Sequence, residues 1–334
     1  YVCSQWNARN NRPEFDFVKA RNLQSQSIIK RTGIWVGREA EHFILPSVEL
    51  GHYEGRQVVL RAVQEIKIPM NDWLAFLGIW LADGYVSSGK IGVTQKIEEK
   101  TALIGNMLSK LPFEFSDGSD EFYTYSKQLA SYLEQFGKAP EKFIPPFVKG
   151  LSKEQIELFL EWYCLGDGTI MEGDYRIFYT SSKKLADDVQ ELLLKIGRVG
   201  VIKERARNGE VWIKDHYAKS ARTQYEVHER VKKLDSWIDQ RDIKELDYDK
   251  EVYCATVKNH EMYIRRNGKP YWCGNTTMFW SGPNTLFNST LKKFESKLRE
   301  EKYVGYIDIN CIVNSKGIYP LEWTSRFGYP TIFI

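Results

Sequence analysis

Several large classes of protein are excluded by what this sequence has little of. Its 334 residues hold five cysteines, scattered and without a C-x-x-C pair, so neither a zinc site nor a disulfide framework is indicated. A reducing, cytoplasmic setting is the expectation. No apolar run approaches the ~20 residues that a membrane-spanning helix needs, and no signal peptide is visible. The net charge is only +3, too small to name a partner by itself. What is present is ordinary core-forming material, 43% hydrophobic and 14% aromatic, in a chain long enough for two or three domains.

Charge is uneven locally. Between Ile196 and Lys233, ten Lys/Arg stand against five Asp/Glu, interspersed with Trp212, Tyr217 and Tyr225. Such a stretch suits a surface lying on phosphates, with Lys203, Arg205, Arg207 and Lys214 as the candidate contacts; the plainer alternative is a solvated strand-and-helix face. The chain opens on Tyr1-Val2-Cys3-Ser4 and stops in the apolar run Thr331–Ile334, so both ends are expected to be cuts through a longer polypeptide.

Residues 1–70 read as strand-rich, with short apolar runs at Ile34-Trp35-Val36 and Phe43–Pro46. Asn71 is placed to cap a helix whose buried face carries Leu74, Leu77, Gly78, Leu81 and Ala82, and which ends at Asp83-Gly84. A strand at Lys90–Gln95 and helices near 98–110 and 126–136 follow. Ser152 with Gln155 makes a capping-box pattern for a helix running to Asp167-Gly168. Then come a strand, Tyr175–Thr180, and an amphipathic helix, Lys183–Ile196. The order helix–Asp–Gly–strand–helix thus occurs twice, an internal repeat with little residue identity. Residues 251–275 return to strands, and Asn267-Gly268 between Met262–Arg266 and Lys269–Trp272 is a strong hairpin signal. Beyond 276, a helix over about 284–301 precedes strands Val304–Val313 and Ile318–Trp323.

The segment Leu74-Ala-Phe-Leu-Gly-Ile-Trp-Leu-Ala-Asp-Gly84 resembles the LAGLIDADG motif of homing endonucleases, and so does Leu158-Phe-Leu-Glu-Trp-Tyr-Cys-Leu-Gly-Asp-Gly168. The resemblance spans roughly residues 71–240. Two helices must pack so closely that the carboxylates at their ends meet, and small residues permit this: Gly78, Ala82 and Gly166. Asp83 and Asp167 are then the catalytic pair and the metal ligands, and hard oxygen donors suit Mg²⁺. The alternative is two buried helices ending in Asp-Gly turns. Trp162 departs from the pattern at the position matching Gly78. Lys142-Phe-Ile-Pro-Pro146 resembles the intein block that sets a basic residue near the scissile phosphate; otherwise Lys142 is a surface lysine before a rigid turn. Gln95 is a further candidate for the site.

Glu251–Val257 with His260, then Tyr271-Trp-Cys-Gly-Asn-Thr276, resembles the C-terminal blocks of an intein. In that family the last Asn cyclises on its own carbonyl, and the next hydroxyl or thiol receives the upstream acyl group. Asn275 and Thr276 fit these roles, His260 would move protons, and Cys254 sits where many inteins have Asp or, in a minority class, the first nucleophile. Gly274 replaces the usual histidine. Phe15–Leu23 resembles the stretch after the Thr-x-x-His block, so an N-terminal intein segment is expected to be missing and required for splicing. Finally, Tyr303–Val313 with Gly317–Pro330 resembles the ATP-grasp region of phosphoribosylamine–glycine ligase, where Glu322 and Thr324 would ligate the Mg²⁺ of Mg-ATP in the intact host.

These resemblances imply an α+β chain. Residues 1–70 and 241–275 would form a β-rich Hint splicing domain, and 71–240 two pseudo-symmetric αββαββα-like halves inserted in it. Residues 276–334 would be a partial ATP-grasp C-extein. The implied function is Mg²⁺-dependent, site-specific cleavage of double-stranded DNA by a monomeric endonuclease, with no membrane partner, and protein splicing in the intact parent. The rivals are a degenerate intein or maturase-like nucleic-acid binder without cleavage, and a ligase carrying an inert insertion.

Overall fold

A computed structural model describes residues 2–7, 12–18, 22–23, 25, 27–54, 57–173, 175–206, 209–213, 216–220, 223–232, 234–239, 241, 243–244, 257, 261–274, 285–305, 307–314 and 316–324. The chain divides into two compact units, 1–275 and 276–334.

Two long helices form the centre of the first unit. Helix α1 (Met70–Asp83) is buried without a break from Trp73 to Leu81, the signature of a helix enclosed on all sides. It starts two residues earlier than an Asn71 cap would set it, after Pro69, and Asn71 is not its cap. The Asn71 side-chain Oδ1 instead accepts from Gln155 Nε2 at 3.2 Å. Between them in chain order lie α2 (Glu98–Leu108), α3 (Lys127–Glu134) and the short α4 (Pro146–Lys149). Helix α5 (Lys153–Asp167) begins as its sequence predicts, with Ser152 Oγ accepting from the Gln155 amide. Helix α6 (Lys183–Lys195) is capped in the same way by Ser182.

Each of α1 and α5 leads into an antiparallel four-stranded sheet. After α1 come strands Gly84–Ser87, Lys90–Thr94, Ser116–Asp117 and Glu121–Tyr125; after α5 come Gly168–Met171, Tyr175–Thr180, Val199–Ala206 and Thr223–Arg230. Numbered by appearance, both sheets have the spatial order 1-2-4-3. The register repeats as well. Gly84 pairs with Val93 and Val93 with Phe122; Gly168 pairs with Phe178 and Phe178 with Val227. The repeat expected from the sequence is therefore α-β-β-α-β-β in both halves. The first strand of each, included in the αββαββα order that the resemblance implies, has no local signal of its own, because it follows the helix without a turn. The halves differ between strands three and four, where the second inserts a hairpin, Gly209–Ile213 with His216–Ser220, that pairs Trp212 with Tyr217. One core serves both halves, with Trp73, Phe76, Trp80, Phe136, Phe159, Tyr163 and Phe178 almost wholly buried.

The remaining strands gather around residues 27–33. Ile28–Ile29 lies between Val2–Asn7 and Ser236–Trp237, with Arg12–Phe17 outermost. The hairpin Glu261–Arg266/Lys269–Gly274 turns at Asn267-Gly268, both at positive φ as the sequence demands. It docks on the same place: Trp272 N donates to Lys30 O, and Arg31 Nε to Pro270 O. The strands 42–45 and 66–69, which the sequence reading groups with 1–33, pack on the helical body. His42–Leu45 pairs with Ile66–Pro69, and Phe43 stacks on Trp73 at 4.0 Å. The strand expected at Ile34–Val36 is absent. Ile34 and Val36 are exposed, while Trp35 is held by its indole, which donates to Leu151 O and lies under Lys195.

The second unit holds α7 (Thr285–Ser289), α8 (Leu291–Glu300) and a two-stranded ribbon, Asp308–Asn314 with Gly317–Thr324. The single helix expected over 284–301 breaks at Thr290, whose hydroxyl donates back to Leu286 O.

Candidate active site

The sequence requires α1 and α5 to approach closely, and glycines make the approach. A Cβ on Gly78 would lie 2.8 Å from Phe159 O and 2.9 Å from Trp162 Cβ. A Cβ on Gly166 would lie 2.5 Å from Ala82 Cβ and 2.9 Å from Asp83 Oδ2. Trp162 therefore does not hold the helices apart: it faces the glycine, so its bulk meets the thinnest point of α1. The glycines after the aspartates act by space rather than by left-handed conformation. Gly84 and Gly168 are extended, and a Cβ would collide with Trp80 at 2.3 Å and with Cys164 at 2.5 Å. The chain can thus pass straight from helix to strand, leaving each carboxylate at the junction.

Asp83 and Asp167 accept no hydrogen bond or ion pair from a described residue. Burial is the first cause that raises both carboxyls above their usual range, and for Asp167 the neighbouring Asp83 adds to it, pushing it up to about 7. Each also sits at a helix C-terminus, where unpaired carbonyls carry partial negative charge, and neither helix has a basic residue in its last turn.

Two lysines from elsewhere serve those ends. Lys142, 5% exposed, donates all three protons to carbonyls at the end of α1, those of Trp80 (3.1 Å), Leu81 (3.0 Å) and Gly84 (2.8 Å). It is not a surface lysine. Its backbone is fixed from the second half, where Ser182 Oγ donates to Lys142 O and Ile144 N donates to Asp188. Burial pushes its ammonium down to about 8, against the pull of Asp167 and Asp83. Lys100 does the corresponding work for α5, donating to Leu165 O. Sequence reasoning missed Lys100. Three residues beyond its helix's N-cap, it matches Leu185 in the second half, so the repeat itself hides it. Gln95 lies just past its strand rather than in it, and its Oε1 accepts from Lys96 N and Ile97 N at 3.0 Å, shaping the start of α2.

The basic strand Val199–Ala206 carries Lys203 and Arg205, both exposed, although Arg205 is paired with Glu226 at 2.8 Å. Arg207, Lys214, Cys254, His260, Asn275 and Thr276 lie outside the described residues, as does the side chain of Thr324. Glu322 is exposed and accepts from Asn310 Nδ2 at 2.7 Å.

A divalent cation fits the first site on its chemistry. Two desolvated, unpartnered carboxylates offer hard oxygen donors, and Mg²⁺ is commonly bound by one or two carboxylates together with waters and substrate phosphate. Among the described residues no group of three or more His, Cys, Asp or Glu assembles, at this site or elsewhere. No described helix is long and apolar enough to cross a membrane.

One consequence is measurable in the metal-free protein. From about pH 4 to about pH 7 the folded chain keeps a proton on Asp167 that the unfolded chain has released, so its contribution to stability falls as pH rises through that window. Asp167→Asn should match the parent near the low end and exceed it by about 1–3 kcal/mol above neutrality, allowing for partial exposure. Urea unfolding in chelator across this range tests it; a difference independent of pH rejects the raised Asp167 carboxyl.

Residues 154–232 match the family of LAGLIDADG-like domains. The chain is 29% identical over 223 residues to the ATP-dependent Clp protease proteolytic subunit of Chlamydomonas moewusii, covering 62% of this chain and 22% of that protein. It is 26% identical over 340 residues to the DNA-directed RNA polymerase subunit beta C-terminal section of Stigeoclonium helveticum, covering 85% of this chain and 30% of that one. The chain thus spans less than a third of either relative. Among solved structures, I-DmoI in complex with DNA and Mn is similar at 15% identity and a TM-score of 0.34, over 48% of this chain and 90% of that one. The N-terminal LAGLIDADG domain of DUF199/WhiA is similar at 12% identity and a TM-score of 0.30, over 49% and 76%. The matched domain is the second half of the repeat; residues 70–134 reproduce its element order and strand register.

Proposed function

We propose that this chain carries a Mg²⁺-dependent, site-specific double-strand DNA endonuclease lodged in an intein. The carrying observation is the pair Asp83 and Asp167, desolvated and unpartnered at the ends of two helices pressed together at Gly78 and Gly166. The two carboxylates would hold the cation, which when bound supplies an activated water and charge for the leaving oxygen. Lys142 and Lys100 hold the helix ends, and with them the carboxylates, in place. Both carboxylates come from one chain, so a monomer suffices. The outer faces of the two sheets would take up the duplex, Lys203 and Arg205 among them. The protein with Mg²⁺ should cut the uninterrupted host gene at the sequence coding for the Thr276 junction. Intact junction DNA after incubation with concentrated protein rejects the reading.

The insertion reading is supported by two findings. The relatives bear the names of unrelated enzymes, and each shares only a minority of its length with this chain, as expected of an element found in different hosts. Residues 27–33 also lie beside 235–237 and 270–272, so the body between leaves and re-enters the β-rich part at one place. The β-rich part is read as the Hint domain, and 276–334 as a C-extein of an ATP-grasp ligase, whose Glu322 and Thr324 would serve Mg-ATP in the intact, cytoplasmic host.

Splicing in a parent that carries an N-terminal intein segment with a first nucleophile should join the flanks through Thr276. Asn275→Ala should block release of the C-terminal piece. Thr276→Ala should prevent ligation yet allow cleavage after Asn275, with His260 and Cys254 as the candidate proton carriers. Mass spectrometry of the excised protein decides it, because a C-terminus other than Asn275, cyclised or hydrolysed, contradicts the assignment.

A further inference from the structure

Each sheet turns alternate residues toward the core and away from it. In the first, Val93 and Phe122 face the core, so Tyr85, Lys90, Gly92, Glu121 and Tyr123 share the outer face. In the second, Phe178, Val227 and Ile202 face the core, leaving Tyr179, Lys203, Arg205, Glu226 and His228 outside. Glu121 stands one residue before Phe122 and Glu226 one before Val227, the two fourth-strand residues that hold equivalent register positions. The halves share little identity, yet both place a glutamate here.

A carboxylate on a face meant for a polyanion repels phosphate, so its repetition calls for a purpose. Both oxygens of each are engaged by donors. Glu121 Oε1 takes Lys90 Nζ, and Oε2 takes the Tyr85 hydroxyl. Glu226 Oε1 takes Arg205 Nε at 2.8 Å, and Oε2 meets His228 Nε2 at 3.0 Å. Lys90 reaches along its sheet to do so, over the Tyr123 ring at 4.4 Å, and past Gly92, where a Cβ would strike the Tyr85 ring at 2.4 Å. Arg205 stays 64% exposed, and its salt bridge uses Nε rather than the terminal fork.

We propose that Glu121 and Glu226 are paired positioning residues for sequence readout. Each holds one long cation, Lys90 in the first half and Arg205 in the second, extended over its sheet to meet the O6/N7 edge of a guanine. The two guanines lie one on each side of the cleavage centre, but not at mirror positions, because Lys90 comes from the second strand of its sheet and Arg205 from the third. Lysine or arginine on that edge is the commonest specific contact in a major groove. The inference rests on the endonuclease reading, and the experiment separates the two.

Selection from a fully randomised duplex library, with Asp83→Asn present throughout so that bound DNA survives, gives the base preference at every position. The expected profile has guanine at two positions, one in each half of the site. Adding Glu226→Ala should flatten one by about tenfold and Glu121→Ala the other, as loss of one oriented base contact predicts. Arg205→Ala should flatten the same position as Glu226→Ala, and the two together should go no further. Because Glu226 is almost buried, Glu226→Gln with thermal melting guards against misfolding, and it should retain part of the preference. Unchanged profiles, uniform loss at all positions, a base other than guanine, or duplex binding without any enriched motif each overturn the proposal while sparing the endonuclease reading. A parent that binds no duplex overturns both.

Discussion

Asp83→Asn and Asp167→Asn are each expected to abolish double-strand cleavage while leaving duplex affinity nearly that of the parent. Asparagine keeps the size and the close packing against Gly166, so the loss falls on charge alone. The charge stabilisation forgone is several kcal/mol, or on the order of a thousand-fold or more in rate. The effect on affinity is expected to be small because neither carboxylate lies among the basic residues proposed to meet phosphate. Removing one carboxylate also relieves the other in part: with Asp83 neutral, Asp167 should titrate below its present value of about 7 yet stay raised, because burial is the larger cause. The parent's affinity for Mg²⁺ should rise with pH up to that value, since the cation must displace a proton, and level off above it. Gel assays of plasmid linearisation with each variant, alongside Mg²⁺ titrations at about pH 6 and about pH 8, test both parts. A variant that still linearises plasmid at the parental rate removes these aspartates from the chemistry.

Gly166→Ala is the second substitution expected to act strongly. The added methyl would stand 2.5 Å from Ala82 Cβ, so α5 must shift away from α1 just where the carboxylates meet. Overpacking of this kind costs about 1–3 kcal/mol, partly offset by alanine's better helix propensity of about 1 kcal/mol. The functional cost is larger than the structural one. A displacement near 1 Å at reacting groups lowers rate by about a hundred-fold. Removing the opposing methyl should restore much of it, so Gly166→Ala with Ala82→Gly should cleave far better than Gly166→Ala alone. The non-additivity is the diagnostic, because a change in helix propensity has no reason to be reversed from the facing helix. If the single variant cleaves like the parent, or the double is no better, close approach at this point is not what sets the site.

The local signals that carried through to the structure were those enforced by a single physical demand. Ser152 caps α5 because the first turn has orphan amides, and Asn267-Gly268 turns because both residues must take positive φ. The two Asp-Gly junctions were readable because small residues and carboxylates recurred at one spacing. What failed depended on partners distant in sequence. Asn71 looked like a cap, but Gln155 claims its side chain. Ile34–Val36 looked like a strand, but only Trp35 finds a pocket and the rest is a strap. Lys142 was legible as a basic residue near the site, while its burial and three backbone acceptors were not. Lys100 had no local signature, since its acceptor is the carbonyl of Leu165, sixty-five positions away.

The place where residues 27–33 meet 235–237 bears on the order in which the molecule assembles. The hydrogen bond from Arg31 N to Asp235 Oδ1 joins positions 204 apart. For a flexible chain, closing so long a loop costs on the order of 5 kcal/mol in entropy, more than the handful of hydrogen bonds there returns. A body already folded, with its ends side by side, removes most of that cost before the strands pair. The helical body should therefore form early, and the β-strands around Ile28–Ile29 should acquire protection from hydrogen exchange only after α1 and α5 have acquired theirs. A destabilised insertion would then delay pairing of the strands around it, even where no residue of those strands had changed.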